Sequence, residues 1–212
     1  MNPKDLAKIK KGKLDLRGAD LRYTDLQDAN LRDVNLRGAN LECANLRDAD
    51  LRGADLRGAE LYNVNLRDAD LRGADMGGAV LYHVNFRGAN LENSHLYDAN
   101  LESADLRGAI MKGTKFIRST LIEADFRFTR LNGADFIRTN LQGSYLLCAD
   151  LRGAYFKNVN FRGANLIGAD MRKLHLKEVD FSDADLIGAD LEGTNLQDSI
   201  LHGVDLRGSI RP

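Results

Sequence analysis

The sequence predicts an all-β solenoid, a parallel β-helix wound from five-residue units, and three observations carry that prediction. From Leu16 to Leu206 every fifth residue is Leu, Phe or Met, 39 times in succession without an insertion. The residue two places before each of these centres is small, as at Ala19, Ala29, Ala39 and Ala44, and otherwise mostly Val, Thr or Ser. The last position of the unit is Gly, Asp or Asn in 28 of the 39 repeats and holds 18 of the 20 glycines. A strict short period over this length marks a repeat architecture, in which each unit rests on its neighbours.

A period of five fits neither the 3.6 of an α-helix nor the 2.0 of a simple strand. Two inward positions per five, one large and one small, describe a short extended side followed by a corner. Gly, Asn and Asp gather at the corner because a tight turn there needs positive φ, which a Cβ penalises. Four such sides close a square coil of about 20 residues, within the usual size of a solenoid repeat. Stacked at the strand spacing of ~4.8 Å, roughly ten coils would make a rod about 45 Å long. The large centres fill its axis, and the small residues keep it narrow.

These units resemble the pentapeptide repeat family, whose consensus is A-(D/N)-L-X-X. Ala19-Asp20-Leu21-Arg22-Tyr23 and Ala39-Asn40-Leu41-Glu42-Cys43 fit it directly, and the resemblance spans about residues 14–210. It implies a right-handed quadrilateral parallel β-helix, the handedness coming from the family alone. Some members protect DNA gyrase and topoisomerase IV from quinolones or peptide toxins by imitating the shape and negative charge of DNA.

The ends of the chain read differently. Residues 1–13 are expected to form a short helical cap, with Asn2 as N-cap, Pro3 at the first helical position and Asp5 in the first turn. Lys10 and Lys11 would close that helix and Gly12 would stop it. Residues 14–212 form the repeat domain, unbroken by any proline-rich linker, since the two prolines are Pro3 and Pro212. At the other end Leu201, Leu206 and Ile210 would lie on an open coil, and exposed coil edges invite pairing with a second copy. No apolar run is long enough to span a membrane. No apolar leader follows the N-terminal lysines. Cys43 and Cys148 sit about five coils apart, roughly 24 Å at the strand spacing and beyond disulfide reach. Free thiols and the lack of a leader point to the cytoplasm.

The outward positions hold the candidate functional residues. On one side Arg47, Arg67, Arg87, Arg107 and Arg127 fall in consecutive coils, a charged ladder that would repel itself unless acids such as Asp48, Asp68, Asp105 and Asp125 neutralise it. The formal net charge of −1 speaks against a nucleic-acid surface, which needs positive potential. It also speaks against a DNA mimic, which should be strongly acidic, and Arg152 and Arg172 interrupt the row Asp150, Asp170 and Asp190. Farther along the ladder side Leu147, Ile167 and Ile187 form an aliphatic stripe, with Phe128 and Tyr145 beside it. Ile117 and Ile137 make a shorter pair on the opposite side. Stacked exposed apolar residues mark a contact surface for another protein. Leu174 takes a place normally held by a small residue and is expected to disturb its coil.

No catalytic constellation emerges. His83, His95, His175 and His202 fall on different repeats, with no spacing suited to a shared metal. No phosphate-binding loop precedes a helix, and a convex rod offers no cleft of the usual kind. Neither enzyme, cofactor nor metal is therefore expected. The sequence points to a non-enzymatic scaffold, a protein–protein interaction rod able to dimerise through its C-terminal coils. The alternative is a DNA-mimicking protein that binds gyrase or topoisomerase.

Overall fold

The computed structural model describes residues 15–210, and none of them is helical. Each five-residue unit is a side and a corner. Ala39 N–H donates to the Leu36 carbonyl at 2.9 Å, and Gly38 between them has φ of 62°, the combination that defines a type II turn. The same positive φ recurs at nearly every fifth residue from Gly18 to Gly208, including 20 residues that are not glycine. Asn and Asp tolerate this region. Bulky Phe128, at φ 61°, does not do so comfortably and is held there by its neighbours.

The Asp or Asn before each centre has a structural purpose of its own. Asn35 Oδ1 accepts the N–H of Arg37 at 3.2 Å, and Asp55 Oδ1 accepts that of Arg57 at 3.2 Å. This Asx turn satisfies a backbone donor at the start of the corner.

Coils stack in a parallel register of exactly one coil per 20 residues, from Asp15↔Asn35 to Asp190↔Ile210. With five residues per side, the coil is four-sided, as expected. A typical side gives the next coil three backbone hydrogen bonds, as when Leu36 N–H meets Asp55 O, Gly38 N–H meets Arg57 O and Glu60 N–H meets Ala39 O, all at 2.8–2.9 Å.

Extended strands are fewer than a ten-coil stack implies. One parallel sheet forms, in the order β1 (Lys115–Ile117), β2 (Asp135–Ile137), β3 (Tyr155–Asn160), β4 (His175–Asp180) and β5 (Ser199–Ile200), and it covers four turns. Elsewhere the 20-residue register is carried by single paired residues. Positive φ at the corner does not by itself end a strand, since β3 and β4 run through Asn158 and Glu178, both at positive φ. β1 and β2 end at Arg118 and Arg138, which keep the positive φ of the other corners. The helical cap expected over residues 1–13 lies outside the described residues.

The core is one continuous column. The centres from Leu16 to Phe161 are almost all sealed from solvent, and the small inward residues pack between them. In the second half aromatic rings replace leucines: Phe116, Phe136 and Phe156 stack at 4.8 Å with planes 11° apart, and Phe161 and Phe181 stack at 5.1 Å. The ring spacing equals the coil rise, so offset stacking comes without strain.

Near the C-terminal end the stack is interrupted on one side. β4 pairs with β3 along most of its length but with β5 only at Val179↔Ser199 and Asp180↔Ile200. Leu174, larger than its counterparts, is buried. Its N–H donates instead to the Thr194 hydroxyl at 3.0 Å. Leu176 and Leu196 are left only partly buried.

Candidate interaction surface

Outward side chains form columns, because residues 20 apart lie one coil rise from each other. The commonest motif on these columns is an Asp–Arg fork within one unit. Arg52 donates to Asp50 through Nε at 2.8 Å and Nη2 at 2.5 Å, and its Nε lies 3.7 Å from Asp70 in the next coil. Arg57, Arg107, Arg152 and Arg172 repeat the pattern on Asp55, Asp105, Asp150 and Asp170, leaning onto Asp75, Asp125, Asp170 and Asp190. The arginine hydrogen bond holds the Asp50 carboxyl down to about 2. Burial pushes the Asp105 carboxyl up, but hydrogen bonds from Arg107 override it and leave the pKa lowered.

The predicted charged ladder is thus compensated. Arg47 and Arg67 each pair with the following aspartate, Asp48 and Asp68, at 3.1 Å. Arg107 and Arg127 fork onto Asp105 and Asp125, both at 2.6 Å. Arg87 lies close enough to Asp105 to help lower its pKa. The row Asp150, Asp170 and Asp190 is pinned the same way by Arg152 and Arg172.

Where the ladder ends, the same side becomes apolar. Leu147, Ile167 and Ile187 are half-buried and aligned in successive coils, and Asp125↔Tyr145 and Tyr145↔Asn165 keep Tyr145 in the adjoining column. Phe128 is 62% exposed and Tyr145 48%, with Phe128 N–H bonded to Leu147 O at 3.0 Å. Leu147, Ile167 and Ile187 thus follow one another at one coil rise, with Phe128 and Tyr145 beside Leu147. A shallow hollow of about 360 Å³ between Arg107, Arg127 and Tyr145 marks the lower edge of this stripe. The pair Ile117 and Ile137, in register on β1 and β2, continues above Tyr97 on another side.

The end residues Leu201, Leu206 and Ile210 belong to the last described coil. Leu201 is 37% and Ile210 57% exposed, whereas Leu206 packs partly against the core. The histidines stay apart: His83 lies edge-on to Tyr82 at 4.0 Å and His95 stacks on Tyr97 at 5.3 Å. Among the described residues no group of three or more His, Cys, Asp or Glu is placed to hold a metal ion, and no helix is long and apolar enough to cross a membrane. Cys43 and Cys148 are free thiols.

Gly77 stands outside the corner position, where arginine is the commonest residue. It leaves Asp75 without a fork in its own unit.

The five-residue side, the 20-residue register and the sealed axial column define the class, a four-sided β-solenoid. The chain belongs to the pentapeptide repeat family: the model for pentapeptide repeats matches eight times, over residues 15–53, 29–68, 39–78, 59–96, 74–113, 99–136, 134–172 and 175–210. No curated protein sequence matches the chain. Among solved structures it is similar to HetL, a pentapeptide repeat protein involved in heterocyst differentiation regulation from the cyanobacterium Nostoc, at 28% identity over 100% of this chain and 98% of that one, with a TM-score of 0.38. It is similar to QnrB1, a plasmid-mediated fluoroquinolone resistance protein, at 22% identity over 84% of this chain and 89% of that one, with a TM-score of 0.47. A pentapeptide repeat protein of the Arabidopsis thaliana thylakoid lumen is 30% identical over 60% of this chain and 71% of its own, with a TM-score of 0.32.

Proposed function

We propose that the protein is a cytoplasmic, non-enzymatic interaction rod, and that the patch of Phe128, Tyr145, Leu147, Ile167 and Ile187 is its protein-binding surface. The observation that carries this reading is the change of character along one side. Asp–Arg forks cover the lower coils, and at Leu147 they give way to aligned aliphatic side chains flanked by two exposed aromatic rings. Aromatic anchors beside an apolar core are the composition of an interface centre. Phe128 also keeps a costly backbone conformation at an exposed position, where folding alone gives no reason for so large a side chain.

The test is affinity capture with the wild-type protein and the variant Leu147→Ser, Ile167→Ser, Ile187→Ser in parallel, with melting curves on both. A partner held by the wild type and lost by an equally folded triple variant supports the assignment. Retention of every partner by the triple variant removes the patch from consideration.

The same reading includes self-association through the coil bearing Leu201, Leu206 and Ile210, where apolar side chains and backbone groups meet solvent. Light scattering that finds only monomer at tens of micromolar would count against it. Compensated forks on the acidic rows weigh against gyrase mimicry, because a mimic needs a continuous negative face. A gyrase supercoiling assay with and without a quinolone decides that alternative. Inhibition or drug rescue would favour it over the interaction rod.

A further inference from the structure

In ten of the Asp-containing units from Asp15 to Asp205, an arginine two residues on folds back as a fork onto the aspartate. Where that arginine is missing, other groups usually take its place. The Ser182 hydroxyl donates to Asp180 at 2.6 Å, the Lys115 ammonium reaches Asp135, and the Asn45 amide donates to Asp25 at 2.9 Å, whereas Asp185, beside Ile187, accepts the Ile187 N–H. At Asp75 the residue two on is Gly77, so no side chain covers the carboxylate from within its own unit. Asp75 Oδ1 accepts the Gly77 N–H at 3.0 Å. Its ion-pair contact is Arg57 Nε at 3.7 Å, beyond hydrogen-bond reach, and Arg57 is already forked onto Asp55.

The space an arginine would fill is open. A hollow of about 500 Å³ is lined by Arg57, Asp75, Gly77, Gly78, Tyr97 and Asp98, with Arg37 at its far edge. A side chain grown from Gly77 would start 3.2 Å from Asp75 Oδ1 and 3.7 Å from both the Arg57 Cγ and the Tyr97 carbonyl. Tyr97, stacked on His95, forms the upper wall. Asp98 on the rim is engaged by Arg118 at 2.5–2.6 Å. The open carboxylate is therefore that of Asp75.

We propose that this hollow is a socket for a guanidinium group, the side chain of an arginine on a partner polypeptide. The incoming group would supply in trans the fork that neighbouring repeats supply in cis, with its plane against the Tyr97 ring. A carboxylate and an aromatic face together select a flat, delocalised cation over a lysine ammonium. Ile117 and Ile137 continue the column above Tyr97 at one coil rise each, so aliphatic residues flanking that arginine would find a matching surface. Arg37 makes the far edge unfavourable for a second cation and fixes which end of the socket the arginine enters. The socket lies on a different side from the Leu147–Ile187 patch and does not depend on it.

The experiment is titration of the ¹⁵N-labelled full chain with N-acetyl-arginine amide and, separately, N-acetyl-lysine amide, read at the backbone amides. Saturable shifts centred on Gly77, Gly78 and Tyr97 with the arginine compound, and at least about tenfold weaker binding of the lysine compound, are expected. Asp75→Asn should weaken the arginine compound at least about tenfold. That variant keeps the acceptor for the Gly77 N–H, and Asn35 already occupies the equivalent place on the same side. Gly77→Arg should abolish binding by filling the socket from within, and Ile167→Ser should leave it unchanged. Shifts spread equally over glycines of forked repeats such as Gly108 and Gly153, equal response to both compounds, unchanged binding in Asp75→Asn, or no shift at all would each overturn the proposal.

Discussion

The Thr114 hydroxyl donates to the Leu91 carbonyl at 2.8 Å, across the boundary between two coils. That carbonyl already closes the corner of its own unit by accepting the Ser94 N–H at 3.0 Å. Elsewhere a hydroxyl at the small inward position bonds the carbonyl three residues before it, as Ser144 does to Leu141 at 2.7 Å. With Thr114 in place, the buried Ser94 hydroxyl has no partner. Thr139 and Phe116 leave Ser119 in the same condition.

A buried hydroxyl without a partner is a cost, so Ser94→Ala and Ser119→Ala should each stabilise the rod by about 1 kcal/mol. Thermal melting measures it. Thr114→Val should cost less in the wild type than in the Ser94→Ala background, because Ser94 can take over the released Leu91 carbonyl. Equal costs in the two backgrounds would show that the two hydroxyls do not compete.

Phe136 lies between Phe116 and Phe156 in a stack with 4.8 Å spacing. Phe136→Ala should remove contacts on both of its faces and cost about 3–5 kcal/mol. Phe136→Leu restores the residue used at the same column position in other coils, such as Leu36 and Leu96, and should cost less than about 1.5 kcal/mol. Denaturant unfolding that finds equal losses for both would place the energetics outside the ring stack.

Leu101 is fully buried in the middle of the rod. Leu101→Asp puts a charge into the axial column without a partner and should cost several kcal/mol. Because each coil is held mainly by its neighbours, the loss should spread to adjacent coils. Limited proteolysis should then cut near the substitution, and an unaltered melting curve would contradict the inward placement of the centres.

The forks make the protein sensitive to acid. Hydrogen bonds from Arg22 and Arg52 lower Asp20 and Asp50 to about 2, from the ordinary aspartate value near 3.8. Asp55, Asp70, Asp150 and Asp170 are lowered for the same reason. A folded-state pKa below the unfolded one means stability that is full above about pH 4 and lost as the pH falls towards 2. The pairs are largely exposed, so each contributes little and the decline should be gradual. Melting temperatures across pH 2–6 should fall only in that lower window.

Much of this architecture is legible in the chain because its period is strict. The spacing of Leu16, Leu21 and their successors marks the inward column, and the glycines mark the corners. The outward stripe at Leu147, Ile167 and Ile187 follows from counting in twenties. The Asx turns were hidden in the frequency of Asp and Asn, since composition does not show which N–H an acceptor meets. Likewise Leu174 announces a disturbance, but not that its N–H turns to Thr194 while part of the neighbouring ladder is lost.

By itself, the sequence determined the coil: five residues per side, large and small residues inward, positive φ at the corners. These are local consequences of side-chain size and backbone sterics, repeated without a break. Only the tertiary structure decided which groups meet across coils. It showed that Thr114 takes the carbonyl Ser94 would use, that Arg52 leans onto Asp70, and that the gap at Gly77 opens beside Tyr97 rather than being covered by Arg57. Those outcomes depend on competition among side chains brought within one coil rise by the closure of the helix, and distance along the chain carries no record of which contender wins.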